Sequence, residues 1–187
     1  MDGGMSRYIL GITGASGAVY AARLAFHLKR LGHEVWAVPT DSGRKVLEYE
    51  NQAGMLRVCD KVVNNDEFFS PCASGSSSFA GMAVVPCSMG TLGKLANGIA
   101  DNLLVRAADV CLKERRRLVI VPREMPYNAI HLENMLRLTH AGAVVIPASP
   151  HFYNHPQTID ELADTVVAKI LTHLGVVHGL SPEWNGK

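Results

Sequence analysis

Short apolar segments rich in Val and Ile alternate with amphipathic segments along the whole chain, and this alternation constrains the fold more than any other feature. Five segments read as strands buried on both faces, because they lack a clean alternation of apolar and polar residues. They are residues 8–12, 34–38, 82–85, 118–121 and 143–146. Helical patterns occupy residues 19–31, 103–115, 133–140 and 159–174, with Asp101 or Asn102 and Thr158 as predicted N-caps. The pattern predicts an α/β fold: a single-domain, doubly wound parallel sheet of the Rossmann or flavodoxin type, flanked by helices.

Size and composition are those of one globular domain. The 187 residues are 48% hydrophobic and 19% charged, so we expect one domain over residues 1–187, with residues 1–6 flexible. The formal net charge of +1 gives no overall field for nucleic acid. No apolar stretch is long enough for a membrane span, and the first residues do not resemble a secretory signal.

Cysteine and histidine patterns favour neither disulfides nor metal. The four cysteines form no C-x-x-C pair, so we expect reduced thiols and a cytoplasmic location. His151 and His155 are four residues apart, but Pro150 and Pro156 bracket them, which argues against a helical metal pair. We therefore expect no catalytic metal.

The loop after the first predicted strand has features of an anion-binding turn. In the sequence Gly-Ile-Thr-Gly-Ala-Ser-Gly, residues 11–17, Gly14 and Gly17 permit close approach of a ligand, and Ser16 offers a hydroxyl. The amides of the following helix offer donors to an anion. The spacing is not G-x-G-x-x-G, and Thr40 and Ser42, in place of an acidic residue, follow the second strand. A mononucleotide therefore fits better than NAD, although a plain strand–helix turn is the alternative.

Three further loops carry polar groups at predicted strand ends. Residues 86–91 include the hydroxyls of Ser88 and Thr91 before a predicted helix, which is a second possible anion site. Arg123 and Glu124 follow the fourth strand, and a surface ion pair is the alternative there. Residues 147–156 follow the fifth strand and include Tyr153, with a rigid structural loop as the alternative. Because the carboxyl ends of parallel strands share one edge of a sheet, these loops together predict a small-molecule site.

Two cations share one face of a predicted helix. Arg106 and Lys113 are seven residues apart, so they point within roughly 20° of each other. Such a pair could hold a phosphate. The alternative is a solvated face with Asp109 and Glu114 as ion-pair partners.

Several segments in order resemble one family. They are Gly14-Ala15-Ser16-Gly17, Ala73-Ser74-Gly75-Ser76, Pro86-Cys87-Ser88, Arg106-Ala107-Ala108-Asp109-Val110, Leu112-Lys113-Glu114-Arg115, Pro122-Arg123-Glu124, His131-Leu132-Glu133-Asn134-Met135, Phe152-Tyr153 and Pro156-Gln157. This series resembles the flavin prenyltransferases, the UbiX-type family formerly described as aromatic acid decarboxylases. The resemblance spans roughly residues 7 to 184, nearly the whole chain.

The resemblance implies a metal-independent transfer of a dimethylallyl group. The donor is dimethylallyl phosphate, and the acceptor is reduced FMN, alkylated first at N5 and then at C6. The product, prenylated FMN, would serve a separate decarboxylase. The resemblance also implies a homo-oligomer, a dodecamer, whose sites form where subunits meet.

The resemblance also assigns roles by position. FMN would contact Gly14, Ala15, Ser16, Thr40, Ser88, Met89, Gly90, Thr91 and Arg123. Ser16 would lie near the flavin N5, Glu50 and Glu124 would handle protons, and Trp184 would offer an aromatic face to the allyl cation. The donor phosphate would be bound by Arg106, Lys113, Tyr153 and Lys169.

Two positions depart from the family pattern. Phe68 or Phe69 stands near the place of a tryptophan that many members carry, and Lys169 stands where arginine is common. Lysine keeps the charge but lacks the bidentate fork of arginine. Two other functions remain: an FMN-dependent cysteine-type decarboxylase of the same fold, which would need a histidine near the flavin, and an FMN carrier protein.

Overall fold

The structure is a computed structural model, which describes residues 4–180. Within these residues there are six strands: β1 (Arg7–Ile12), β2 (Glu34–Pro39), β3 (Lys61–Val62), β4 (Phe79–Cys87), β5 (Arg117–Pro122) and β6 (Val144–Val145). The α-helices are α1 (Ala18–Arg30), α2 (Asp41–Tyr49), α3 (Met89–Ala96), α4 (Leu103–Lys113), α5 (Ala129–His140) and α6 (Ile159–Leu174). Two short 3-10 helices, Ala53–Arg57 and Pro71–Ala73, lie between β2 and β4.

The strands form one parallel sheet in the order β3-β2-β1-β4-β5-β6. The chain winds outward from β1 to one edge and then returns to β4, which lies on the other side of β1. This order reverses between β1 and β4, where a doubly wound sheet opens a crevice at its carboxyl edge. The predicted fold class is confirmed.

Alternate residues of the central strands supply two cores, one on each face of the sheet. Leu10 and Ile12 pack with α1 and α6 on one face. Ile9, with Met82 and Val84 of β4, packs with α3, α4 and α5 on the other. Both faces are covered, which explains why the strands read as continuous apolar runs.

Some elements differ from the sequence predictions. The two-residue β3 and the helix α2 were not predicted, because neither has a long apolar period. β4 continues through Pro86 to Cys87, beyond its predicted end at residue 85, with an irregular ladder between Val84 and Cys87. Proline normally marks the end of a central strand, so the sequence placed that end too early.

The helix starts follow side-chain caps. Asn102, not Asp101, caps α4 by accepting a 3.1 Å hydrogen bond from the Val105 amide. Thr158 caps α6 as predicted, accepting from the Glu161 amide at 3.1 Å. Asn128 caps α5, which therefore begins four residues before the predicted start at residue 133. Within residues 4–180, no helix is long and apolar enough to cross a membrane.

Candidate functional site

A buried threonine joins the two strands that border the crevice. The Thr13 hydroxyl, at the end of β1, donates to the Pro86 carbonyl at 2.7 Å and accepts from the Ser88 amide at 2.8 Å. Thr13 is only 1% exposed, so these bonds are shielded from water. This link fixes the loop after β1 against the loop after β4. Sequence analysis did not assign Thr13 a role, although a polar residue directly after a buried strand is a signal for one.

Two glycines allow the loop after β1 to lie against α2. A Cβ on Gly14 would lie 2.5 Å from the Ser42 Cβ, and a Cβ on Gly43 would clash with the Ile12 carbonyl oxygen. Thr40 begins α2 by accepting from the Gly43 amide at 2.9 Å. The predicted residues Gly14 and Thr40 are therefore neighbours, because the backbones approach so closely.

Five of the residues predicted to contact the flavin line one cleft of about 420 Å³ at the carboxyl edge of the sheet: Gly14, Thr40, Ser88, Gly90 and Thr91. Ser88 caps α3, and its hydroxyl contacts the Thr91 hydroxyl at 3.1 Å. A Cβ on Gly90 would meet open space, so the first turn of α3 faces the cleft. The N-terminal ends of α2 and α3 give the cleft donors suited to a phosphate. Lys94 also lines the cleft but pairs with Asp101 at 2.6 Å, and Asp41 adds a carboxylate.

Five polar residues that were not predicted as flavin contacts also line this cleft: Asp41, Ser42, Asn65, Lys94 and Asn102. Asn65 accepts from the amides of Leu103 and Leu104 with its backbone and side-chain oxygens, at 2.8 and 2.9 Å. It therefore holds the start of α4 against the cleft. Its sequence context carries no signal for this role, since it lies in an irregular segment. Of the other predicted flavin contacts, Ala15 is buried, and Met89 packs on the core below α3.

Glu50 lies at the N-terminus of α1, beside Ser16. Its carboxylate accepts from the Gly17 amide at 3.1 and 3.0 Å and from the Ala18 amide at 2.7 Å. Gly17 has φ of 111°, a left-handed conformation that favours glycine. The sequence predicted that these amides would bind a ligand anion. They bind the Glu50 carboxylate instead, so the Gly17 and Ala18 amides already have an anionic partner.

Arg123 and Glu124 do not pair with each other. The Arg123 Nε donates to the Ser16 carbonyl at 3.0 Å, which ties the end of β5 to the loop after β1. Glu124 is exposed, and its Oε1 accepts from the Met125 amide at 3.0 Å. Both residues line a second hollow of about 410 Å³ with Tyr127 and Ser149. Glu124 lies at the surface because the chain leaves the sheet there, and the surface ion pair named as the alternative does not form.

The predicted phosphate-binding cations of α4 have carboxylate partners. Arg106 pairs with Asp109 at 2.8 Å, and Lys113 pairs with Glu114. These are the partners that the solvated-face alternative names. α4 runs from Asn102, beside the cleft, to Lys113, beside Gly75 and close to the start of β5. Lys113 therefore lies near the ends at which the strands begin, away from the cleft at their carboxyl ends.

The remaining predicted phosphate ligands lie apart from α4. Lys169 is exposed on α6, across the sheet from α4. Tyr153 lies in the loop after β6, and its ring centroid is 4.1 Å from that of His151. Trp184 lies outside the described residues. Five of the predicted flavin contacts thus line one cleft, whereas Arg123 lines a second hollow and the predicted phosphate contacts lie apart.

Phe68 and Phe69, the two residues near the place of the family tryptophan, differ in their exposure and in their distance from the cleft. Phe68 is 44% exposed and lies in a hollow with Asp41 and Asn65, which also line the 420 Å³ cleft. Phe69 is fully exposed. Phe68 is therefore the one that lies next to the cleft.

The cysteine thiols are buried or half-buried and unpaired. Burial raises the pKa of both Cys59 and Cys111 to about 12, which keeps these thiols neutral and unreactive. In the described part of the chain, no group of three or more His, Cys, Asp or Glu side chains is arranged to hold a metal ion.

The doubly wound sheet, the hydroxyl-lined cleft at its switch point and the absence of a dinucleotide fingerprint define a mononucleotide-binding α/β protein. Comparisons with known proteins agree. The family model "Flavoprotein" matches residues 2–173. A flavin prenyltransferase UbiX of Methanocaldococcus jannaschii is 45% identical over 181 residues, which cover 95% of this chain and 98% of that protein.

Two crystal structures are close in fold and sequence. AnUbiX (PadA1) in complex with FMN and dimethylallyl pyrophosphate has a TM-score of 0.93 and 39% identity, covering 98% of this chain and all of that one. A dodecameric FMN-dependent UbiX-like decarboxylase from Escherichia coli O157:H7 has a TM-score of 0.90 and 40% identity, covering 96% and 100%. The chain belongs to the UbiX flavin prenyltransferase family.

Proposed function

We propose that this chain is a metal-independent flavin prenyltransferase that transfers a dimethylallyl group from dimethylallyl phosphate to reduced FMN, giving prenylated FMN. The observation that carries the proposal is the cleft at the β1–β4 switch point, which residues from four loops line. The relatives of this chain are flavin prenyltransferases, which supports the same activity here. FMN and dimethylallyl pyrophosphate are bound together in the related AnUbiX structure, which supports the same pair of ligands here.

The cleft fits FMN by its donors and shape. The hydroxyls of Thr40, Ser88 and Thr91 and the first turn of α3 would hold the phosphate. Gly14, Ala15 and Ser16 would lie along the ring system, and Arg123 would keep Ser16 in place through its bond to the Ser16 carbonyl. FMN, when reduced, supplies the nucleophilic nitrogen and carbon of the reaction.

The carboxylates nearest this loop would manage protons. Glu50 lies against the amides of Gly17 and Ala18, within one turn of Ser16. Glu124 is exposed at the neighbouring strand end, where a carboxylate can take up or release a proton at its Oε atoms. Glu50 is held by two backbone amides, whereas the exposed Glu124 accepts one hydrogen bond, from the Met125 amide.

The donor phosphate would be bound between copies of the chain. In a single chain, the cations of α4 and Lys169 lie on opposite sides of the sheet, so they cannot hold one phosphate together. A homo-oligomer, as in the dodecameric relative, could bring Arg106 and Lys113 of one copy towards Tyr153 and Lys169 of another. Preorganised cations would stabilise the charge that develops on the leaving phosphate. Trp184 would then face the allyl group.

The same cation set separates this function from its alternatives. A cysteine-type decarboxylase or an FMN carrier needs the flavin cleft but has no use for phosphate-binding cations. Unpaired cysteines with neutral thiols are typical of a reducing compartment, which favours the cytoplasm. A decarboxylase that uses prenylated FMN would be the functional partner.

A donor-dependence experiment tests the proposal. Reduced FMN and the protein are incubated without oxygen, with a chelator present, and phosphate release is followed with and without dimethylallyl phosphate. We expect phosphate release that requires both substrates and is insensitive to the chelator. Release without reduced FMN, or none at all, would contradict the proposal. Light scattering under the same conditions should show an oligomer, and a fully active monomer would refute the composite site.

A further inference from the structure

The loop that carries Tyr153 is anchored to one turn of α6. The loop spans residues 147–156, and it is called the Tyr153 loop here. The backbone amide of His151 donates to the Thr165 hydroxyl at 3.3 Å, and that hydroxyl donates to the Leu162 carbonyl at 2.7 Å. Thr165 is only 7% exposed. The anchor point on α6 is therefore the buried Thr165 hydroxyl, which both donates and accepts a hydrogen bond.

The same turn of α6 is fixed to α1 by an ionic cluster. Arg23 binds Asp164 through two parallel hydrogen bonds, of 2.8 Å from Nε and 2.5 Å from Nη2. The Nε2 of buried His27 lies 3.0 Å from Asp164 Oδ1, the oxygen that also accepts from the Arg23 Nε. Paired arginine–carboxylate bonds are directional and strong. Since Thr165 follows Asp164, the anchor of the Tyr153 loop is held in register with α1, which begins at the flavin loop.

The His151 side chain then supports Tyr153 directly. The two ring centroids are 4.1 Å apart, with an interplanar angle of 32°. The His151 Nε2 atom is buried and has no hydrogen-bond partner among the described residues. The imidazole thus acts here by packing, and it limits the positions that the Tyr153 ring can take.

We propose that His151 is a positioning residue for Tyr153, which it holds in place for the donor phosphate through ring stacking and the Thr165 anchor. This inference rests on the proposed function, because it takes Tyr153 as a phosphate ligand. It assigns to the imidazole no proton transfer and no contact with the substrate. Its effect should therefore appear in the binding of dimethylallyl phosphate, not in the binding of FMN.

The test is a double-mutant cycle with His151→Ala and Tyr153→Phe. An aromatic pair contributes enough that His151→Ala should raise KM for dimethylallyl phosphate by about 2- to 10-fold, with kcat and FMN content nearly unchanged. His151→Phe keeps the stacked ring and should restore the KM of the native protein. In the Tyr153→Phe background, His151→Ala should have no further effect, because the hydroxyl that it positions is gone.

Two outcomes would overturn the inference while leaving the proposed function intact. One is a Tyr153→Phe variant with raised KM alongside a His151→Ala variant without any change. The other is additivity of the two substitutions. If Tyr153→Phe itself leaves KM unchanged, the assignment of Tyr153 to the phosphate is wrong, and the positioning role fails with it.

A matched pair on α6 tests the anchor. Thr165→Val removes the hydroxyl that holds the His151 amide, and Thr172→Val removes one that bonds the Ala168 carbonyl at 2.9 Å, away from the loop. We expect a raised KM for the donor in the first variant only. Equal KM values for both variants and the native protein would overturn the anchor.

Discussion

Replacing Glu50 with glutamine should weaken the start of α1 as well as the chemistry. The Glu50 carboxylate accepts three hydrogen bonds of 3.1, 3.0 and 2.7 Å from two amides at the positive end of the helix. Glutamine keeps one acceptor oxygen and turns an NH₂ group towards an N–H donor. A hydrogen bond to a charged group contributes roughly 1.5–3 kcal/mol, so we expect a loss of that order in the free energy of unfolding.

The assay is thermal unfolding alongside the single-turnover rate of prenylation. For a chain of this size, a loss of that order lowers the thermal midpoint by roughly 3–10 °C. Glu48→Gln, on the exposed side of α2, is the matched control and should leave the midpoint unchanged. An unchanged midpoint for Glu50→Gln would refute the capping role. A lowered midpoint with a native rate would limit Glu50 to that role.

Three other changes have distinct expected results. Glu124→Gln should keep FMN bound and the thermal midpoint unchanged, because Glu124 is exposed, while the prenylation rate falls by about 100-fold, measured in single turnover. Thr13→Val should lower the free energy of unfolding by about 1–3 kcal/mol in denaturant titration and also weaken FMN binding, because Ser88 loses its link to β1. Burial lowers the pKa of His27, so the unfolded chain binds the proton more readily. The contribution of neutral His27 to the free energy of unfolding should be full above about pH 6.5 and should decrease as the pH falls below it. In thermal scans, His27→Gln should therefore make the midpoint less dependent on pH.

Each of these results has a clear contrary. A native rate in Glu124→Gln would remove this residue from the mechanism, and joint loss of FMN and stability would make it structural. For Thr13→Val, the control is Thr139→Val at an exposed position. Equal free energies of unfolding for the two variants would contradict a stabilising role of the Thr13 hydroxyl. For His27, stability that rises as the pH falls below 6.5 would reverse the predicted sign.

The sheet could be predicted from sequence because its strands are covered on both faces. Short, continuous apolar runs such as the one ending at Ile12 are typical of strands that are buried on both faces. The helices between them begin at capping residues such as Thr158. β3 escaped prediction because two residues that pair with Trp36 and Ala37 leave no periodic signal. The true end of β4 was missed because proline is a poor guide where a strand is irregular.

The flavin cleft was largely predictable, since Gly14 and Ser88 follow strands that end at one edge. What sequence could not give is the identity of hydrogen-bond partners. Glu50 reaches the α1 amides across 33 positions of the chain, and Arg123 reaches Ser16 across 107. Separations of this size carry no periodicity. The placement of Lys113 near the start of β5, away from the cleft, follows from the direction of α4, which begins after Asn102 beside the cleft.

The mass of the flavin product shows whether the protein transfers a dimethylallyl group to FMN. Reduced FMN, dimethylallyl phosphate and the purified protein are incubated without oxygen, and the flavin is then released and weighed by mass spectrometry. We expect a flavin heavier than FMN by one isoprene unit, formed only when protein and donor are both present. Recovery of unmodified FMN alone, from protein that binds both ligands, would contradict it.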